Sequence, residues 1–274
     1  MLSKGYRNMR FSIQLTRTTG RNLLPMDYQY YISAWIYKTI KLSNDEFARF
    51  LHDRGYGSDE GKLFKLFCFS RLEFGKPLLL PAEKLFQISA ATLRLLISFD
   101  IPITASHFIE GIFKDQELYL GDKQHGLNLR VTTVELLPEP VFLETMRYRL
   151  LTPWVVSIKE DGKPQPVYLA ADDERFSTMA ARHLAEKHNL THTETPAVRH
   201  EQIVVNRING YKRSGFVISP GTPRETRVVG NLFEFTLTAP ITIHQMAWNA
   251  GISEKSSMGF GMIETTKENN KQEN

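Results

Sequence analysis

The chain has 274 residues, of which 42% are hydrophobic and 23% charged, with a formal net charge of +4. This is comfortable for two domains of ordinary size with real cores. No apolar run approaches the roughly 18 residues of a membrane span. The N-terminal "MLSKGYRNMR" has no signal-peptide core, and the lone Cys68 excludes an intramolecular disulfide and any multi-cysteine zinc site.

Residues 1–8 are expected to be disordered. "MRFSIQLT" then alternates Phe11, Ile13 and Leu15 with polar neighbours, the period of a half-buried strand. In "DYQYYISAWIYKTIK", Tyr28, Ile32, Trp35, Ile36 and Ile40 recur at helical spacing. "SNDEFARFLHDRG" predicts a second helix, with Ser43 and Glu46 as a capping box and Gly55 as its stop. "FKLFCFSRL" reads as a strand, "KLFQIS" and "TLRLLISF" as two strands around a turn, and "TASHFIEGIF" as a short helix capped by Thr104. "ELYLG" and "LNLRVTTVELL" form a hairpin, and "PEP" at 138–140 is a linker.

The second half repeats that order. "FLETMRYRLLTPWVVSI" is strand-like, and "DDERFSTMAARHLAEKHN" is the clearest amphipathic helix in the chain. "EQIVVNRI" and "VVGNLFEFTLTA" alternate as strands, "ITIHQMAWNAG" is a short helix, and "GFGMIE" is a closing strand. The polar tail 266–274 is expected to be disordered. The fold class is therefore α+β, with two tandem ferredoxin-like (βαββαβ) domains over 9–137 and 141–265.

Charge is distributed unevenly. From Arg207 to Gly230 there are five basic residues (Arg207, Lys212, Arg213, Arg224 and Arg227) against one acid, Glu225, so this segment carries the excess of the whole chain. Such a stripe is the footprint of a polyanionic partner. Tyr211 and Phe216 within it are candidates to stack on bases.

The segment "AGISEKSSMGFGMIE", Ala250 to Glu264, crowds three glycines, three serines and a lysine between an apolar helix and an apolar strand. It has neither mononucleotide P-loop spacing nor a dinucleotide fingerprint. On the residues alone it fits an RNA-backbone cradle and a tight packing turn equally well. "GISEKSSMGFGMIE", taken with "LPMDYQYYISAWIYKTI" and "FARFLHDRGY…KLFCFSRL", resembles the CRISPR-associated endoribonuclease family that cuts precursor CRISPR RNA within its repeats. That family belongs to the repeat-associated RNA-binding superfamily and is built from two ferredoxin-like domains. The resemblance covers both ends of the chain in order; roughly 75–200 carries little signature. The family pattern often has glycine two residues after Gly251, where this chain has Ser253.

The resemblance implies a metal-independent reaction in which the RNA 2′-OH attacks the adjacent phosphate, leaving a 2′,3′-cyclic phosphate and a 5′-OH. Such chemistry needs a base, an acid and a cation near the phosphate. Carried over residue by residue, the family's tyrosine in "AWIY" is Tyr37, its histidine in "FLH" is His52, and its lysine in "KLFCFS" is Lys65. His52 falls in the last turn of its predicted helix, where the macrodipole favours the imidazolium. Tyr37 is expected to orient a hydroxyl or phosphate oxygen, and Lys65 to stabilise the transition state, with Lys62 as its rival. RNA binding is assigned to Arg207, Lys212, Arg213, Arg224 and Arg227, and to Gly251, Lys255, Ser256, Gly259 and Gly261 of the glycine segment.

His183, His188, His192 and His200 are read as surface residues without metal-ligand spacing, and His107 and His125 as structural. No cofactor or metal is called for. The implied partner is CRISPR repeat RNA, with a CRISPR effector complex as a further one, no membrane, and a cytoplasmic monomer or homodimer. The alternative is a non-catalytic RNA-binding scaffold of an effector complex.

Overall fold

A computed structural model describes residues 9–57, 62–162, 165–193 and 195–266. The expected disordered ends, 1–8 and 267–274, lie outside these residues. Thr266, assigned to the tail, is ordered, and its N–H donates to the carbonyl of Arg147 at 3.2 Å.

Alternation decides the first strand. In β1 (Arg10–Arg17) Ile13 and Leu15 are buried and Gln14 is exposed, as a half-buried strand requires. The chain continues through β2 (Leu23–Pro25), α1 (Tyr28–Ser43), α2 (Asp45–Arg49), a π-helical turn (Phe50–Arg54), β3 (Phe67–Phe69), β4 (Leu78–Leu80) and β5 (Leu85–Gln87). Then come β6 (Thr92–Phe99), α3 (Pro102–Lys114), β7 (Glu117–Gly121) and β8 (Gly126–Leu136).

The main sheet has the order β3-β6-β1-β8-β7 and is antiparallel throughout. Without β7 this is the ferredoxin-like arrangement of a βαββαβ unit: second strand, third, first, fourth. Register places Ile13 opposite Leu95 and Leu15 opposite Leu93. Ile32 and Ile36 of α1 and Phe108 and Ile112 of α3 bury against this sheet. Each such side chain contributes about 1.5–3 kcal/mol of burial.

The second unit runs β9 (Thr145–Leu150), β10 (Ser157–Ile158), β11 (Val167–Tyr168), α4 (Phe176–Thr191), β12 (Val204–Arg207), β13 (Lys212–Ile218), β14 (Thr226–Leu232), β15 (Glu234–Thr238), α5 (Ile241–Ala250) and β16 (Ile263–Thr265). Its sheet, β12-β15-β9-β16, repeats the same antiparallel order. Tyr148, Trp154, Phe176, Leu184, Phe235 and Met246 form its core. The basic stripe falls largely on the β13–β14 hairpin, an excursion between the second and third strands of the unit. No helix among the described residues is long and apolar enough to cross a membrane.

Several local expectations are corrected. The N-cap of α2 is Asn44, whose side chain accepts from the Phe47 N–H, and not Ser43. Ser43 ends α1 and bonds His107 and Glu110 instead. The helix expected over 43–55 is a short α-helix followed by a π-turn. Thr104 lies inside α3, which starts at Pro102 behind Ile101. "KLFQIS" and "TLRLLISF" do not pair: β5 joins β2 and β4 in a separate small sheet, while β6 is central in the main one.

One buried cation ties the halves together, and a second works within the C-terminal unit. Arg10, on β1, is 2% exposed and lies over the Trp248 ring at 3.4 Å. It donates to the carbonyl oxygens of Ile263 (2.8 Å) and Trp248. Burial lowers its pKa to about 10. Lys187, on α4, is 1% exposed, and its ammonium donates to the carbonyls of Gly251 (2.8 Å) and Ser253 (3.3 Å). It therefore holds the start of the glycine segment.

Candidate active site

α1 points Tyr37 at the π-turn that follows α2. Its ring meets the His52 imidazole edge to face, with centroids 5.1 Å apart, and the Phe67 ring at 5.6 Å. The π-turn ends at Gly55, whose φ of 73° and ψ of −154° are open only to glycine. A Cβ there would come within 2.5 Å of the Phe64 carbonyl and 2.9 Å of the Lys65 side chain. Glycine at 55 thus lets the segment carrying Lys65 close onto the turn carrying His52. The contact is direct: the Lys65 ammonium donates to the His52 carbonyl at 2.7 Å. Lys62, the rival lysine, is paired with Glu186 at 2.7 Å.

The chemistry of each group follows from its surroundings. The His52 side chain is 67% exposed, and its Nδ1 donates to Asp53 Oδ1 at 2.8 Å, which leaves Nε2 as the nitrogen available to a substrate. That hydrogen bond holds the Asp53 carboxyl below its ordinary range. Burial drives the Tyr37 phenol well above its ordinary value, against a weaker pull from its hydrogen bond to the Ser257 side chain. Tyr37 is therefore a neutral hydroxyl and not a base. Burial also lowers the Lys65 pKa, with Asp53 opposing.

The glycine segment arrives at this place from the other domain. Ser33 of α1 donates to the Ser257 carbonyl at 2.8 Å. A cleft of about 280 Å³ runs beside the site, with Lys65, His183, Lys255, Ser256 and Ser257 among its lining residues. Lys255 is exposed and left-handed (φ 56°), while Ser256 is buried. The three glycines are themselves buried. The Cβ each lacks would strike protein: Cys68 at 2.9 Å for Gly251, the Phe69 ring at 2.6 Å for Gly259, and Ser253 at 2.2 Å for Gly261. The segment is a packing turn against β3 that presents Lys255 outward and keeps Ser253, Ser256 and Ser257 buried. Ser253 fits within it, its hydroxyl accepting from the Val155 N–H at 2.8 Å.

Arg207, Lys212, Arg213, Arg224 and Arg227 are all exposed. Arg207 lies over the Tyr211 ring at 5.3 Å, and Arg213 donates to the Tyr168 carbonyl at 3.2 Å. Phe216 is not free to stack on a base: it is 5% exposed and stacked on Phe260 at 4.2 Å. His183 and His188 are buried as well, contrary to the surface reading, because both lie on the buried face of α4. His188 stacks on His192 at 4.8 Å, and His192 Nε2 lies 3.6 Å from Asp100. Among the described residues no cluster of three or more His, Cys, Asp or Glu side chains is placed to hold a metal ion.

Sequence reasoning missed the residues that join the two halves of the site: Ser33, Ser257, Asp53 and Gly55 in its glycine-only conformation. Only the sequence neighbours Asp53 and Gly55 carried a local signal.

The fold and site define a protein of two tandem ferredoxin-like units, with a cationic hairpin and a histidine–tyrosine–lysine cluster. The chain belongs to the Cas6 family: residues 23–129 match the model for "CRISPR-associated protein Cas6, N-terminal" and 137–265 that for "CRISPR associated protein Cas6, C-terminal". It is 27% identical to the CRISPR-associated endoribonuclease Cas6 of Pyrococcus furiosus, over 97% of this chain and 95% of the relative. It is 22% identical to CRISPR-associated endoribonuclease Cas6 1 of Methanocaldococcus jannaschii, over 96% and 95%. A solved structure of a Cas6-related protein from Pyrococcus furiosus shares the fold with a TM-score of 0.79 at 20% identity, covering 95% of this chain and 99% of that one. A second, described as a RAMP protein binding different RNA substrates, gives 0.77 at 20% identity, over 94% and 100%.

Proposed function

We propose that this chain is a metal-independent endoribonuclease that cuts CRISPR repeat RNA in precursor transcripts. The observation that carries the reading is the contact of Tyr37 and Lys65 with His52, three residues brought together from α1, the π-turn and the segment before β3. The relatives' endoribonuclease names support it.

In the proposed reaction the ribose 2′-oxygen attacks phosphorus, the P–O2′ bond forms, and the P–O5′ bond breaks. The 2′ proton leaves to a base and the departing 5′ oxygen takes one up, giving 2′,3′-cyclic phosphate and 5′-OH ends. His52 is the group that exchanges protons, with Asp53 fixing its ring through Nδ1. The Tyr37 hydroxyl, kept protonated by burial, orients the attacking hydroxyl or a phosphate oxygen. Lys65 places positive charge where negative charge develops on the phosphate. Lys255 and Ser256 beside the cleft, together with Arg207, Lys212, Arg213, Arg224 and Arg227 of the hairpin region, hold backbone phosphates. Gly251, Gly259 and Gly261 serve RNA binding through the shape they give the turn. The enzyme acts in the cytoplasm, as a monomer or homodimer, and hands its product to an effector complex or retains it.

Cleavage of labelled repeat RNA in excess EDTA tests this, with wild type beside His52→Ala and a 2′-deoxy substitution at the cut site. Cutting by wild type that is lost in both controls is expected, with a 10²–10⁴-fold loss, the range for a general acid–base group, in His52→Ala. Tight binding with no cutting in wild type would make the chain a scaffold, and undiminished cutting by His52→Ala would move the active site elsewhere.

A further inference from the structure

We propose that the cleft between the N-terminal end of α1 and the β13–β14 hairpin is a nucleotide subsite, which holds one residue of the bound RNA away from the scissile step. The inference rests on the RNA-cutting function proposed above and assigns it a second point of grip.

The cleft encloses about 420 Å³, with Gln29, Arg71, Lys84, Phe86, Val217 and Arg227 among its lining residues. Three of these are cations from three separate places: the loop after β3, the turn between β4 and β5, and β14. The lining includes a single acid, Asp27, and its Oδ1 already accepts the Val217 N–H at 2.8 Å. The hairpin and α1 are thereby fixed to each other. Arg71 is aimed by a 2.8 Å bond from its Nη2 to Ser214, and the loop carrying it is held by the Leu72 N–H on the Tyr28 hydroxyl at 3.2 Å.

Gln29 is the feature that points to a ligand. It is 6% exposed, and its amide oxygen has no hydrogen-bond donor. A buried acceptor left unmet costs free energy, so such atoms call for a partner. Positive charge beside a lone acceptor suits a nucleotide: phosphate oxygens meet Arg71, Lys84 and Arg227, and an N–H on the edge of the base donates to Gln29. Phe86 supplies the apolar wall against which a base rests.

Placement links this cleft to the active site. Gln29, Ser33 and Tyr37 are four residues apart in turn, so they form one stripe along α1. Tyr37 stands at the reacting end, Ser33 is pinned to the glycine segment, and Gln29 opens into the cleft. Eight residues of helix span about 12 Å, a distance that an extended RNA strand crosses in a few nucleotides. The sequence does not bring these residues together, because Gln29, Arg71 and Lys84 lie in three separate segments.

The test uses the full chain and repeat RNA made uncleavable by a 2′-deoxy group at the cut site. Each nucleotide in turn is replaced by an abasic residue, and Kd is measured for wild type, Gln29→Leu and Lys84→Ala. In wild type one abasic position outside the scissile step weakens binding about tenfold. Gln29→Leu binds intact RNA about tenfold more weakly and shows no further loss at that one position, while the other positions behave as before. Lys84, exposed on its turn, tests the phosphate half without threat to folding: its loss lowers the slope of log K against log salt by about 0.7. Losses that multiply at every abasic position, or a Gln29→Leu variant that binds as wild type, would overturn the proposal, and an unchanged Lys84→Ala salt slope would remove its phosphate contact. The outcome is separable from the reading of function: coupling with no cutting of normal RNA keeps the subsite and removes the nuclease, and cutting without coupling does the reverse.

Discussion

The Lys65 ammonium donates to the backbone carbonyl of His52 at 2.7 Å. The cation of the proposed site is thus positioned by the peptide that carries the histidine, and Gly55 is what permits it. A methyl group at 55 would press on the Phe64 carbonyl and on Lys65, and its backbone conformation is strained for any other residue. Gly55→Ala is expected to cost about 1–3 kcal/mol of stability and to reduce cleavage beyond what the unfolded fraction accounts for. Thermal melts beside single-turnover rates at a temperature where the variant is fully folded check this. A variant equal to wild type in both would mean that the turn relaxes freely.

Tyr37→Phe removes the hydroxyl that meets Ser257 and keeps the ring against His52 and Phe67. The expected result is RNA affinity close to wild type with a rate at saturating enzyme lowered about 10–100-fold, the scale of an oriented donor near a developing charge. Because the phenol stays protonated, the variant's pH–rate profile should keep the shape of the wild type below pH 10. A lost alkaline limb would make the phenol a titrating group.

Asp100 gives a pH signature. Its carboxyl is 4% exposed and lies 3.6 Å from His192 Nε2. Burial raises its pKa to about 7, with Lys187 opposing. The folded protein therefore holds a proton that the unfolded chain releases near pH 4, so stability from this group is present at low pH and is lost as pH rises towards 7. Asp100→Asn removes that loss. The melting temperature of the variant relative to wild type should climb steadily from pH 4 to 7. A flat difference across this range would show that the carboxylate is compensated in the fold.

Alanine at Arg207, Lys212, Arg213, Arg224 or Arg227 should leave stability within about 0.5 kcal/mol, since all five are exposed. Each one that contacts a phosphate should lower the salt slope of RNA binding by about 0.7. Phe216→Ala should behave oppositely. It empties a stacked pair with Phe260 and is expected to cost about 3–5 kcal/mol without altering the salt slope. A Phe216 variant of native stability with weak binding would restore the stacking role read from the sequence.

The order of the main strands and helices follows from local patterns in the sequence. Period-two alternation in β1 and β8 and helical spacing in α1 and α4 depend on neighbours a few residues apart, and local periodicity reports those directly. The βαββαβ repeat was legible for that reason, and the motifs that resemble the family supplied Tyr37, His52 and Lys65 as the residues of the proposed site. Short caps and edge strands were not: Asn44 took the cap from Ser43, and β5 went to a separate small sheet, because hydrogen bonds to other parts of the chain outweigh the few tenths of a kcal/mol by which such positions differ.

Which side chains meet depends on contacts between residues far apart in the chain. Arg10 and Lys187 look like surface cations in the sequence, yet both are buried, because carbonyl oxygens at Trp248, Ile263, Gly251 and Ser253 satisfy them. A charge can leave water when fixed dipoles replace its hydration, and those dipoles come from residues 64 to 253 positions away. The glycine segment shows the same division. Its bare backbone was plain in the sequence, but whether it faced RNA or protein depended on Cys68 and Phe69 of the other domain. They fill the space where its side chains would have been, which turns Lys255 and Ser257 towards Lys65 and Tyr37.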